Sequence, residues 1–234
     1  MGWVEREYAD AEARDAGLAE QLRATCADAT ATRGCAWLAL GGGGTPLPLY
    51  RRLSTCDLHW PQVTLVPTDE RCVPHDHPAC NLAAIATAFA AAGGIQLLSL
   101  TRADGDPQPS EAHARALLAR HPAPFDAVVL GMGADTHTAS LFPGADGLAA
   151  AMDPASPLDA CRIDPRPLPP EAPFPRITLT AARLLRARSL HLVINGDAKR
   201  AVLRQAADAH DPLRHPIAAF LHAADACVQV HWSP

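Results

Sequence analysis

The chain has 234 residues, of which 48% are hydrophobic and 19% charged, with a formal net charge of -5. That length buries a substantial core, and the composition excludes a disordered or fibrous protein. No Lys/Arg run is long enough to make an electrostatic footprint, so duplex nucleic acid and anionic membrane surfaces are excluded as partners, while a local basic pocket for a small anion is not.

At the start, "MGWVEREYAD" has acidic residues and no apolar h-region. It reads as a mixed, strand-like segment rather than a secretory leader, and Gly2 does not open an acylation signal. From Ala9 to Thr32 the apolar positions recur near helical spacing among Ala, Glu, Gln, Leu and Arg, which predicts a surface helix. "CAWLAL", Cys35 to Leu40, is a nearly continuous apolar run suited to a buried parallel strand. The same signal returns at Val63–Thr68, Ile95–Leu100, Ala127–Gly133, Leu190–Gly196 and Ala226–His231. Helices are predicted between these runs at Asn81–Ala91, Ser110–Ala119, Leu179–Arg186, Ala198–Ala209 and Ile217–Leu221. Pro-rich Ala151–Pro175 reads as an extended loop. With no repeat and no second domain in the pattern, residues 1–234 are expected to form a single domain.

Apolar strands alternating with helices predict an open α/β sheet with helices on both faces. Ligand sites in such sheets lie beyond the carboxyl ends of the strands. Four strand ends carry polar clusters there, "GGGGTP", "DER", "GMGADTHTAS" and "NGDAK", so chain-distant segments are expected to converge on one cleft.

In the first cluster, Gly41 to Gly44 let the backbone turn with its amides inward, and Thr45-Pro46 reads as an N-cap and first helical residue. The stretch suits an anion at a helix start and equally a ligand-free tight turn. It is neither a Walker motif nor a dinucleotide fingerprint. Beyond the next strand, Asp69, Glu70 and Arg71 offer a hydroxyl acceptor and a cation, or a charged loop satisfying itself. His75 and His77 lack a third ligand and make no metal site.

The third cluster holds His137, the one side chain there that accepts a proton near neutral pH, with Asp135 close enough to fix its ring. A histidine merely packed at a turn is the alternative. Ser140 lacks a nucleophile elbow and reads as the first turn of a short helix. Lys199 is the only lysine in the chain; it sits at a strand-to-helix junction from which an ammonium reaches over the sheet edge, or else lies on the surface. Arg176, entering the next strand, can face the same cleft. The seven scattered cysteines are odd in number and read as reduced thiols of a cytoplasmic protein.

"LGGGGTPLPLY", "TDERCVPHDHPACN", "LGMGADTHTASLFPG", "PRITLT" and "NGDAKRAVL" together resemble the 6-phosphogluconolactonase family, in the family order and across most of the chain. The resemblance implies an open, mostly parallel Rossmann-like α/β sheet, similar to the glucosamine-6-phosphate isomerase and ribose-5-phosphate isomerase folds. It implies hydrolysis of 6-phospho-D-glucono-1,5-lactone without a required metal or organic cofactor; the chain is separately expected to act on a small-molecule sugar phosphate as a monomer or weak homodimer. By the same resemblance His137 is the general base and Asp135 its companion, and Gly42, Gly43, Gly44 and Thr45 form the phosphate-side loop. Asp69 and Arg71 are the family's acidic-basic pair, and Arg176 and Lys199 its cationic positions.

Two departures stand out. Where the family reads Asp-Gly-His, this chain has Thr136 between Asp135 and His137, and a φ > 0 that suits glycine strains a β-branched residue. Either the backbone at Thr136 is ordinary, or the loop has shifted and His137 with it. Gly44 stands where the family often has serine. Two other functions compete: a non-catalytic sugar-phosphate sensor disabled by Thr136, and a glucosamine-6-phosphate isomerase/deaminase. The latter would carry Asn-Glu-Pro where this chain has Leu141-Phe142-Pro143.

Overall fold

The computed structural model describes residues 2–169 and 172–234. Strand β1 (Trp3–Glu7) leads into α1 (Ala11–Arg33). Asp10 caps that helix, its carboxylate accepting from the Ala13 amide at 2.8 Å, and Gly34 at φ +78 ends it. There follow β2 (Ala36–Leu40), α2 (Leu47–Ser54), β3 (Val63–Pro67), β4 (Asp69–Arg71), α3 (Asn81–Ala88) and β5 (Gln96–Leu97). The second half comprises α4 (Pro107–Ala119), β6 (Ala127–Gly131), α5 (Leu148–Met152), β7 (Ala160–Ile163), β8 (Arg176–Leu179), α6 (Ala181–Leu185), β9 (Leu190–Asn195), α7 (Gly196–Ala209), α8 (Ile217–Leu221) and β10 (Val228–Ser233).

Seven strands form one parallel sheet in the order β1-β10-β9-β6-β2-β3-β5. Its central strands are apolar on both sides because helices cover both faces. Along β2, Ala36, Leu38 and Leu40 pack with Leu18, Leu22, Leu49, Leu53 and Ile85 of α1, α2 and α3. Trp37 and Ala39 point the other way, into the core shared with α4 to α8, as the two-residue period of a strand demands. The chain steps outward from β2 to β3 and β5, then returns to place β6 on the other side of β2 and runs outward again through β9 and β10. The strand order therefore reverses between β2 and β6, and such a switch point opens a crevice at the strand ends.

Several expectations are corrected. The strand expected over Ile95–Leu100 is only Gln96–Leu97. The helix expected from Leu179 begins at Ala181, because Leu179 ends β8 and Thr180 caps α6 through a hydrogen bond from the Arg183 amide. Asp69–Arg71 is not a loop: it pairs antiparallel with β8, which also pairs with β7, in a second sheet of order β4-β8-β7. The stretch expected as an extended loop over Ala151–Pro175 contains the end of α5 and all of β7; its residues 170 and 171 lie outside the described ones. No helix of the described residues is long and apolar enough to cross a membrane.

Candidate active site

A cleft of about 300 Å³ opens at the switch point, lined by Gly41–Pro46 after β2, Thr68, Asp69 and Arg71, Asn81, Gly131–Gly133, His137, Ala139, Arg176, Val193 and Lys199. The four polar strand ends do converge, and Arg176 joins them. Of the sequence-derived site residues, Gly42, Gly43, Gly44, Thr45, Asp69, Arg71, His137, Arg176 and Lys199 all border the cleft, while Asp135 stands behind His137.

The glycine turn leaves the sheet with the Gly41 amide still bonded to Val129 O at 2.7 Å. Gly42 is required by close approach, since a Cβ there would meet Asn81 Oδ1 at 2.1 Å. The amides of Gly42 to Thr45 have no partner among the described residues and are available to an anion. Pro46, not Thr45, occupies the cap position of α2, and no side chain caps that helix.

In β4 the pleat sends Asp69 and Arg71 toward the cleft and Glu70 away from it. Glu70 is fully buried, and its carboxylate accepts from the Asn81 and Leu82 amides at 2.7 Å, satisfying the start of α3. Burial pushes its carboxyl up, although these amides and that of Arg71 pull the other way. Asp69 accepts a hydrogen bond from the buried Ser140 hydroxyl. That bond accounts for Ser140, which lies in a tight turn rather than opening a helix.

Arg71 donates to Ala79 O at 2.8 Å, and its Nε is buried without a partner among the described residues. Buried Arg176 donates to Ala172 O at 2.8 Å and lies over the Phe142 ring at 4.8 Å. Burial pulls its pKa below the usual arginine value, partly opposed by Asp69 and reinforced by Arg71. Lys199, in the first turns of α7, donates from Nζ to Met132 O at 2.7 Å. Three cations thus border one cleft with one carboxylate, Asp69, among its lining residues.

The turn after β6 is held by two backbone hydrogen bonds, Gly133 N to His137 O at 2.9 Å and Thr136 N to Gly133 O at 3.1 Å. His137 Nδ1 lies 2.5 Å from Asp135 Oδ1, which also accepts the His137 amide at 3.2 Å. Burial raises the Asp135 carboxyl, but the hydrogen bonds and charge of His137 outweigh this and hold it below the ordinary aspartate value. Such a carboxylate selects the tautomer with the proton on Nδ1, leaving the Nε2 lone pair open. The imidazole is stacked on Phe142, with ring centroids 4.1 Å apart.

Neither alternative raised for Thr136 holds. Its φ is +69, so the turn keeps the left-handed conformation despite the β-branched residue, and His137 stays at the cleft.

Sequence reasoning missed Asn81, whose Nδ2 donates to Asp69 O at 2.8 Å, and Phe142, which supports both His137 and Arg176. Asn81 opens a helix directly after the "DER" cluster, a placement that could have marked it; Phe142 carries no such signal. His75 contacts Thr101 and Ser99, away from the cleft. No group of three metal-ligating side chains occurs among the described residues.

Residues 9–232 match the family model described as glucosamine-6-phosphate isomerases/6-phosphogluconolactonase. The chain is 37% identical over 219 residues to a 6-phosphogluconolactonase of Rhizobium meliloti, covering 93% of each chain. It is 40% identical over 211 residues to one from Mesorhizobium japonicum, covering 88% of this chain and 85% of that one. The crystal structure of a 6-phosphogluconolactonase from Shewanella baltica superposes with a TM-score of 0.92 at 31% identity, covering 99% of this chain and 98% of that one.

Proposed function

The chain belongs to the family of glucosamine-6-phosphate isomerases and 6-phosphogluconolactonases, and on that premise we propose that His137 is the base of its hydrolytic reaction. The activity is hydrolysis of 6-phospho-D-glucono-1,5-lactone to 6-phospho-D-gluconate in the oxidative branch of the pentose phosphate pathway. The observation that carries the role of His137 is its pairing with Asp135 on the same cleft as Lys199, Arg71 and Arg176.

In this reading the phosphate binds the amides of Gly42 to Thr45 with Lys199 and one or both arginines, charge-assisted contacts that also favour the start of α2. Asp69 accepts a sugar hydroxyl. The lactone carbonyl lies toward His137, whose Nε2 takes a proton from water as the water oxygen bonds to C1. The oxyanion accepts from a backbone amide of the Gly131–Asp135 turn or from a cationic side chain. The C1–O5 bond then breaks, O5 takes the proton back from Nε2, and the new carboxyl group ionises. Asp135 stabilises the transient imidazolium. These steps draw on side chains, backbone amides and water.

Two observations weigh against the competing functions. His137 is not sealed in packing, its side chain being 30% exposed at the cleft, which disfavours a disabled sensor. Where an isomerase would carry a carboxylate, Phe142 is stacked on His137. We further read residues 1–234 as one functional unit, a monomer or weak homodimer, and the seven free cysteines as those of a cytoplasmic protein.

The test is a coupled assay on freshly generated lactone, corrected for spontaneous hydrolysis. His137→Ala is expected to lower kcat by roughly 10²–10⁴-fold with phosphate-analogue affinity retained. Undiminished turnover would remove His137 from the role.

A further inference from the structure

Thr136 stands at φ +69 and is only 3% exposed, in a conformation that a β-branched residue keeps only when its surroundings impose it. The surroundings are visible. Its amide donates to Gly133 O at 3.1 Å, and its carbonyl accepts from the Ile217 amide at 3.2 Å, at the start of α8. Its hydroxyl donates to Asp135 O at 2.5 Å and lies 3.4 Å from His215 Nδ1. With the hydroxyl proton committed to Asp135, the oxygen is free to accept from an Nδ1–H of His215.

His215 is itself fixed. Its amide donates to Asp211 O and its carbonyl accepts from the Ala218 amide, both at 2.8 Å. A continuous path therefore runs from the α7–α8 connection through His215 and Thr136 to the Asp135 backbone, and Asp135 holds His137 through its carboxylate. Glycine at this position would supply the left-handed backbone without strain and keep the carbonyl bond to Ile217, but not the hydroxyl that links His215 to the Asp135 backbone.

We propose that Thr136 and His215 are positioning residues for the hydrolysis, clamping the Asp135–His137 turn to the start of α8. The inference rests on His137 being the base. Its effect belongs in kcat rather than KM, because neither residue borders the cleft that takes the phosphate.

The experiment compares Thr136→Gly, Thr136→Ser, His215→Ala, the Thr136→Gly/His215→Ala double variant and His137→Ala in the coupled lactone assay. Thr136→Gly, which the backbone accommodates, is expected to lower kcat about 10-fold or more with KM within about twofold, and Thr136→Ser to restore most of that loss. His215→Ala should reproduce part of the Thr136→Gly effect, and the double variant should be no worse than Thr136→Gly, as for two members of one chain. Full kcat in Thr136→Gly, no rescue by serine, or losses that multiply in the double variant would each overturn the proposal. If His137→Ala itself keeps full turnover, the assignment of the base falls and the clamp with it. A His137→Ala loss alongside an unaffected Thr136→Gly overturns the clamp alone.

Discussion

The imidazole of His137 lies nearly flat on Phe142, with the ring planes 23° apart and the centroids 4.1 Å apart. Phe142 is buried and also carries the Arg176 guanidinium over its ring, so one apolar side chain supports both His137 and a cation of the cleft. An aromatic pair contributes about 0.5–1.5 kcal/mol beyond area burial, and a loss of that size in orientation corresponds to roughly two- to tenfold in rate. Phe142→Leu, which keeps apolar volume but removes the ring, is therefore expected to lower kcat roughly two- to tenfold in steady-state assays. A rate equal to that of the parent would show that packing without stacking suffices.

Gly133 approaches His137 too closely for any side chain. A Cβ there would lie 2.2 Å from His137 Nδ1 and 2.5 Å from Asp135 Oδ1, distances at which the pair itself must move. Gly133→Ala is expected to cost about 10²-fold in kcat, the scale of an ångström-sized misplacement, with KM changed far less. Retained kcat would mean that the turn re-forms around the methyl group and that the Asp135–His137 spacing is not critical.

Lys199 and Arg71 should show the opposite split. Hydrogen bonds to charged groups contribute about 1.5–3 kcal/mol, so Lys199→Met is expected to raise KM by roughly 10- to 100-fold and to weaken inhibition by inorganic phosphate in parallel. Arg71→Gln should act in the same direction. If either variant lowers kcat with KM unchanged, that cation serves the oxyanion rather than the phosphate.

The legible part of this molecule is the part set by local pattern. β2, β3, β6, β9 and β10 announce themselves as apolar runs, and because ligand loops follow strand ends, the pattern alone puts the glycine turn, His137 and Lys199 on one cleft. β4 was not legible: three charged residues have no apolar alternation, and their pairing with β8, more than a hundred residues away, is purely tertiary. β7 was hidden by the prolines on both sides of it. The conformation of Thr136 lies beyond local reasoning for a different reason, since the contacts that hold a β-branched residue at positive φ include those from His215 and Ile217, far away in sequence. Phe142 registers in the sequence only as the absence of a carboxylate, because stacking partners leave no spacing signal.

His191 and His231, on neighbouring strands, are buried, with Nδ1 of one 3.1 Å from Nε2 of the other, and His231 Nδ1 lies 2.9 Å from the Tyr8 hydroxyl. Burial lowers the His191 pKa to about 4, helped by Arg6, and lowers that of His231 to about 3, helped by His191 and the Arg6 and Arg14 charges. An unfolded histidine titrates near 6.5, so below that pH the unfolded chain binds more protons than the folded one, and stability falls as pH falls. The loss is absent above about pH 7, begins near 6.5 and continues until the folded pKa values are reached. By pH 5.5, where most carboxylates are still ionised, each histidine accounts for about 1.4 kcal/mol. Denaturant unfolding at pH 7.5 and 5.5 should show this drop in the parent protein. His191→Leu is expected to be less stable at pH 7.5, because His231 loses its partner, yet to lose about half as much on acidification. A pH dependence identical to that of the parent would show that His191 is not held neutral by its burial.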